Sequence, residues 1–295
     1  MTQKITAQMV KELRDKTDAP MMECKKALEE AQGDMSKAEL ILASRGQKKA
    51  QKSAGRTAAE GIIVIESSPH ASVMLEINSE TDFVARDETF KQFCEALSKA
   101  ALSSDIESLE DLNNAQIKGE NVEKVRENLI AKLGENIQIR RMNKIMIEGD
   151  QVIGAYIHRD RIGVQVVLTG QDEELAKDIA MHIAAMNPQY MTPDEMPQED
   201  IETQRVLLLE QEQSSGKPQN VIEKIVDGRL RKIINENCLI HQDFFKNPDQ
   251  TIGALLKSKG AEIETYIRFL VGEGIEVVKK SFKDEVMAQA QGDKA

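Results

Sequence analysis

A chain of 295 residues is long enough for one large domain or two to three small ones, and its 40% hydrophobic and 30% charged residues mark a globular rather than a disordered protein. A net charge of −11, only 3% aromatic residues and no Trp argue against nucleic-acid binding, which needs Lys and Arg to displace counterions and rings on which bases stack. The sequence has no apolar run long enough for a membrane span and no secretory core at its N-terminus. With three widely separated cysteines, Cys24, Cys94 and Cys238, this points to reduced thiols in a cytoplasm.

Residues 5–46 read as a three-helix unit. Thr6 caps a helix with Val10 and Leu13 on one face, and Pro20 suits the first turn of a second, where its missing N–H costs nothing. Met21, Met22, Cys24, Ala27, Leu28 and Ala31 form the apolar side of that second helix, with at least one of the two methionines expected in the core. Gly33 permits a left-handed stop, and Asp34 caps a third helix carrying Met35, Ala38, Ile41 and Leu42. Residues 47–60 hold Lys48, Lys49, Lys52 and Arg56. A solvated linker or helix extension is preferred there over a nucleic-acid arm, because four such charges attract a phosphate backbone only weakly.

A hairpin follows, 61–66 and 72–77, in which Val73, Leu75 and Ile77 alternate as in a half-buried strand. The stretch 78–90 is a strand-to-helix junction. Phe83, Phe90, Phe93, Ala96 and Leu97 fall at helical spacing, so local chemistry alone tucks Phe83 inward with Asp82 near the cap of a helix running from about Arg86 to Ala101. Residues 105–120 are acidic and poorly periodic. A helix then runs from Val122 to Leu133, stops at Gly134 and leads into a third strand over 135–141. The pattern recurs in strands 151–157 and 161–168 around a turn at His158, followed by a helix from Asp172 to about Met186; two α+β halves of related shape are expected.

Strand signals vanish between 191 and 238. Ile201, Val206, Leu208 and Leu209 mark one helix, and Val221, Ile222, Ile225, Val226, Leu230 and Ile233 mark another with spacing near 3.5, which favours a projecting antiparallel hairpin over one lying on the core. A short helix is expected over 249–256, a strand over 262–269 that completes the second sheet, and a terminal helix over 281–291.

Catalytic motifs are missing. Gly216-Lys217 lacks the earlier Gly of a phosphate loop, and Gly272-Glu273-Gly274 lacks a third. His70, His158, His182 and His241 show no metal-ligand spacing. His182, on an apolar helix, reads as a satisfied core histidine; His158, at a hairpin tip, is either a contact residue or an idle turn residue. The weight moves toward a binding protein that holds no cofactor or metal of its own.

Thr81-Asp82-Phe83-Val84-Ala85-Arg86 resembles the signature of the bacterial elongation factor Ts family. Four further places resemble it in the same order: 13–28, Gly134-Glu135-Asn136, Tyr156-Ile157-His158 with Arg161-Ile162-Gly163-Val164, and 267–274. Two departures are Asp18, where many members carry Gly, and Leu270, where a charged residue is usual. The resemblance implies an α+β fold: a ubiquitin-associated-like three-helix bundle (1–46), a linker (47–60), core subdomains at 61–142 and at 143–190 with 239–276, an inserted antiparallel helical hairpin (191–238) and a C-terminal helix (277–295).

It also implies a cytoplasmic guanine nucleotide exchange factor without a catalytic site, which binds elongation factor Tu both with GDP and free of nucleotide. It would promote GDP release by disturbing the partner's Mg²⁺ and phosphate site. The residues implied for that step are Thr81, Asp82, Phe83 and Val84; other partner contacts would be Leu13, Met21, Met22, Leu133, Gly134 and His158. Dimerisation through the helical hairpin is left open. The rival readings are an interaction scaffold without exchange activity and a small-molecule enzyme using a cleft between the two halves.

Overall fold

The first three elements of the described chain are helices, each with its own start signal. The computed structural model describes residues 4–17, 19–103, 105–213 and 216–276. Helix α1 (Ala7–Thr17) starts where the Thr6 hydroxyl accepts the Met9 N–H at 3.3 Å. Pro20 stands at the N-cap of α2 (Met21–Glu30), one position before the first turn expected for it, with φ −55°. That helix ends in a left-handed turn through Gln32 and Gly33, at φ 54° and 89°, and the Asp34 side chain accepts the Lys37 N–H at 3.0 Å to begin α3 (Met35–Ser53). Val10, Leu13, Cys24, Ala27, Leu28, Ala31 and Ala38 make the shared core. Neither Met21 nor Met22 joins it: they are 54% and 61% exposed on the first turn of α2, whose inward face is taken by Cys24, Ala27 and Leu28. The third helix also runs past residue 46, so Lys48, Lys49 and Lys52 ride on a continuous helix. The turn containing Asp18 lies outside the described residues.

Next come β1 (Glu60–Ser67), β2 (Ala71–Ser79), α4 (Asp82–Ala85), α5 (Glu88–Ala101), α6 (Leu109–Asn114), the ribbon β3 (Gln116–Ile117) and β4 (Glu120–Asn121), α7 (Val122–Leu133) and β5 (Ile137–Met146). The sheet order is β1-β2-β5. As the middle strand, β2 is buried at all nine positions rather than on alternate ones, and its polar members Ser72, Glu76, Asn78 and Ser79 are buried with the rest. The helix expected from about Arg86 to Ala101 is α5, which starts at Glu88, and the separate single turn α4 precedes it. Arg86 ends α4, and the Asp87 carboxylate accepts the N–H groups of Thr89 and Phe90, at 2.8 and 3.2 Å, to start α5. The acidic stretch before α7 holds α6, closed by a capping box between Ser108 and Asp111. Gly46 of α3 sits against α7, where an added Cβ would lie 3.5 Å from that of Ala131.

The second half repeats the plan with β6 (Gln151–His158), β7 (Ile162–Thr169), α8 (Glu173–Met186), α9 (Gln198–Gln213), α10 (Gln219–Asn237), β8 (Asp243–Phe244), β9 (Asn247–Thr251), α11 (Ile252–Lys259) and β10 (Ile263–Leu270). The sheet order is β10-β7-β6, so here too the hairpin's second strand is central and a late strand returns to its far edge. Gly154 lets α8 lie flush on β6, since a Cβ there would come within 2.1 Å of the Ala176 carbonyl oxygen. The short helix expected from 249 begins only at Ile252, because 249–251 pair in β9.

Helices α9 and α10 enclose a small seam of Leu208, Ile222, Val226 and Leu230. Val206 and Val221, expected on the apolar stripes, face outward at 45% and 39% exposure. By packing, the described chain divides into two units. One holds the residues up to Ile62, Leu75–Met142 and those from Val271; the other holds Ile63–Met74 and Asn143–Leu270. The terminal helix expected over 281–291, within 277–295, lies outside the described residues.

His182 on α8 is a core histidine. It is fully buried, Phe245 donates its N–H to Nδ1 at 3.4 Å, and Nε2 lies 2.9 Å from Gln242 Oε1, so the ring is neutral with its proton on Nε2. Burial lowers its pKa, partly opposed by Gln242. The unfolded chain therefore takes up this proton first. The stability contributed by the neutral ring is complete above the unfolded value of about 6.5 and is lost as pH falls toward the lower folded value. Urea midpoints at pH 7.5 and 5.5 check this: the wild-type protein should lose more stability across that interval than His182→Gln, and equal losses would contradict it.

Candidate functional site

The corner between β2 and α5 is built from both sides. Thr81, with φ −124° and ψ 158°, caps the single turn α4, its hydroxyl accepting the Val84 N–H at 3.4 Å. The Thr81 N–H and hydroxyl both donate to Glu135, at 3.0 and 2.6 Å, while Ser79 Oγ donates to the Thr81 carbonyl at 2.9 Å. Glu80 in turn accepts the Asn136 N–H at 2.6 Å and Arg56 at 3.3 Å. Val84 and Ala85 take the inward positions of α4.

Phe83 is left outside. Its ring is 80% exposed, the most exposed of the large apolar side chains on the described surface, against the local preference for tucking it in. Asp82 is beside it, paired with Arg86 across one turn at 2.8 Å. Both partners of that ion pair are well solvated, so it contributes about 0–1 kcal/mol and leaves Asp82 free to change partners.

The other residues implied as contacts fall in different settings. Leu13 is fully buried in the bundle and presents no surface; its work is to hold α1 against α2 and α3. Met21 and Met22 are exposed, and so is Leu40 on α3, at 70%, which the sequence reading did not single out. Leu133 is half-buried at the end of α7, and Gly134 is its exposed left-handed cap at φ 80°. His158, in the other unit, is exposed at the end of β6, with Nδ1 3.1 Å from the Tyr156 hydroxyl and the rings 6.2 Å apart.

A family model described as elongation factor TS matches residues 80–273. The elongation factor Ts of Alkalilimnicola ehrlichii is 47% identical over 290 residues, covering 98% of this chain and 99% of that protein. Those of Legionella pneumophila and Idiomarina loihiensis are 49% and 46% identical, each covering at least 97% of both chains. The chain belongs to the elongation factor Ts family.

Among the described residues no group of three or more His, Cys, Asp or Glu side chains could hold a metal ion, and no helix is long and apolar enough to cross a membrane.

Besides Leu40, two residues escaped the sequence reading. Glu135 was seen only as part of a matching tripeptide, and its bonds to Thr81 span 54 residues. Glu76 is a fully buried carboxylate on β2. It accepts from Asn78 (3.0 Å), Arg140 (3.0 Å), Arg141 (2.5 Å) and the Gly272 N–H (2.8 Å). Burial alone would raise its pKa, but the Gly272 N–H, Asn78 and the two guanidinium groups outweigh that, and the net shift is downward.

Proposed function

We propose that this chain is a guanine nucleotide exchange factor for elongation factor Tu. It acts in the cytoplasm on the GDP-bound form, passes through a nucleotide-free complex and lets GTP rebind. The observation that carries the reading is Phe83: a large apolar ring held in water beside a carboxylate, on a corner fixed by hydrogen bonds. Leaving such a ring in water forgoes about 2 kcal/mol of burial, which docking recovers.

Phe83 enters the partner as a wedge, and Asp82 brings negative charge or a hydrogen bond beside the Mg²⁺ that offsets the diphosphate. Thr81 and Val84 hold that pair in place. Met21 and Met22 provide an adaptable second contact, Leu133 and Gly134 border the corner, and His158 contacts a further region of the partner from the other unit. Leu13 supports the bundle from within.

The chain itself needs no catalytic residue. The groove of about 330 Å³ lined by Lys16, Thr17, Glu39, Glu120 and Lys124 pairs its opposite charges with one another, Lys16 with Glu39 and Lys124 with Glu120, both at 3.2 Å, in solvated ion pairs. The Thr17 hydroxyl is paired too, donating to the Leu13 carbonyl at 2.7 Å. An interaction scaffold without exchange activity would rely on Val206 and Leu207, exposed on α9, for a partner or a second copy. The release of a fluorescent GDP analogue from elongation factor Tu separates the readings. Exchange predicts release that accelerates with the concentration of this chain and saturates; the scaffold predicts an unchanged rate.

A further inference from the structure

We propose that Glu135 is the positioning residue of the Phe83 corner, acting through Thr81; the proposal rests on the exchange reading above. A four-residue helix has too few hydrogen bonds to persist alone, because nucleation fixes several dihedral angles for one bond. Something outside α4 must therefore hold Asp82 and Phe83 where they are. Three candidates lie on α4 or just beyond it. Arg86 grips Asp82 only in a solvated ion pair, and Val84 and Ala85 anchor the inner side without setting the direction of the outer one.

Glu135 does what these cannot. Its two carboxylate oxygens each accept one proton from Thr81, Oε2 from the N–H at 3.0 Å and Oε1 from the hydroxyl at 2.6 Å. Such charge-assisted bonds are the strong, directional class. The second one also orients the cap. With the hydroxyl proton committed to Glu135, the Thr81 oxygen turns its lone pairs to the Val84 N–H, and the chain Glu135–Thr81–Val84 fixes the first turn of α4. Glu135 is itself well seated. It follows Gly134, whose left-handed conformation turns the chain off α7. Its neighbour Asn136 gives its N–H to Glu80 and its amide to the Arg56 carbonyl at 2.8 Å. The two chain segments are thus cross-tied: Glu80 reaches toward 136 and Glu135 reaches toward 81.

The consequence is pre-organisation. A corner already held in its docking geometry loses little freedom on binding, whereas a loosened one must be ordered at the moment it is used. Because the bundle and the other unit supply separate contacts, removing the clamp should reduce what the corner does in the complex more than it reduces the forming of the complex.

The experiment follows labelled GDP release from elongation factor Tu as a function of the concentration of the full chain, for wild type, Glu135→Ala, Glu135→Gln, Thr81→Val and the Glu135→Ala/Thr81→Val double variant. Glu135→Ala should lower the maximal release rate about ten-fold and change the half-saturating concentration by less than about three-fold. Glu135→Gln keeps an acceptor for the hydroxyl but sets an N–H₂ group against the Thr81 N–H, so it should recover part of the loss. The double variant should lose less than the product of the two single losses, since the hydroxyl–carboxylate bond is cut in both.

In parallel, amide exchange at Thr81 and Val84 should accelerate in Glu135→Ala, while amides in the core of α5 stay protected. Wild-type maximal rates in Glu135→Ala and Glu135→Gln, or losses that multiply in the double variant, would overturn the proposal. So would a fall only in affinity. A wild-type chain that leaves GDP release unchanged overturns the exchange reading and the functional role of the clamp with it. The two failures differ because only the second is seen without any substitution.

Discussion

Replacing Phe83 by Ala is expected to cut the acceleration of GDP release from elongation factor Tu ten-fold or more while leaving the fold intact. The second half of that statement follows from exposure: a ring that is 80% in solvent contributes little to the core, and surface truncations usually change stability by less than about 0.5 kcal/mol. The first half follows from what docking does to the same ring. Burying it in a partner is worth roughly 2 kcal/mol or more, and about 1.4 kcal/mol corresponds to each factor of ten. Far-UV circular dichroism and a urea unfolding curve would check the fold, and a stopped-flow trace would check the rate. An unchanged release rate from a folded variant would remove Phe83 from the mechanism.

The second large effect concerns stability. Glu76→Ala should lower the unfolding free energy by about 3–5 kcal/mol, because it leaves Arg140 and Arg141 without the carboxylate they share and strips the Gly272 N–H of its acceptor. Those partners tie β2, β5 and the segment after β10 together at one buried point, so the loss is felt in three elements at once. The pH dependence has a definite sign. The Glu76 pKa is lowered in the folded protein, so its contribution is complete above the unfolded carboxylate value of about 4.3 and disappears as pH falls through the lower folded value. A urea midpoint for Glu76→Ala at neutral pH within error of wild type would contradict the assignment, as would a wild-type acid transition unchanged by the substitution.

Much of the fold could be read from residues a few positions apart. Asp34, Asp172 and Gly134 each end or begin a helix by a bond to a near neighbour, and the hairpins follow from alternation and turn residues. The reading failed where the deciding partner is distant or the signal ambiguous. Helical spacing groups Phe83 with Phe90 and Phe93, yet Asp87 starts a new helix between them and frees Phe83 from that face. Only the likeness to a family set Phe83 apart beforehand.

The alternation through Val73, Leu75 and Ile77 implied a wet opposite face. Apart from Asn78, what makes the full burial of Glu76 tolerable lies 64, 65 and 196 residues away, and no local pattern reports it. Leu13, Met21 and Met22 illustrate the same limit: all three sit at apolar helical positions, but Leu13 is sealed in while both methionines face solvent. Glu135 was visible only as one letter of a tripeptide until its carboxylate was placed on Thr81.

On one partner this chain and GDP are expected to couple negatively, and such a coupling must act equally in both directions. Titration calorimetry of this chain into elongation factor Tu, with and without saturating GDP, measures it most directly. GDP should weaken the binding of the chain by the same factor as the chain weakens the binding of GDP, about 150-fold for a coupling of roughly 3 kcal/mol. An affinity that does not change when GDP is added would contradict the account.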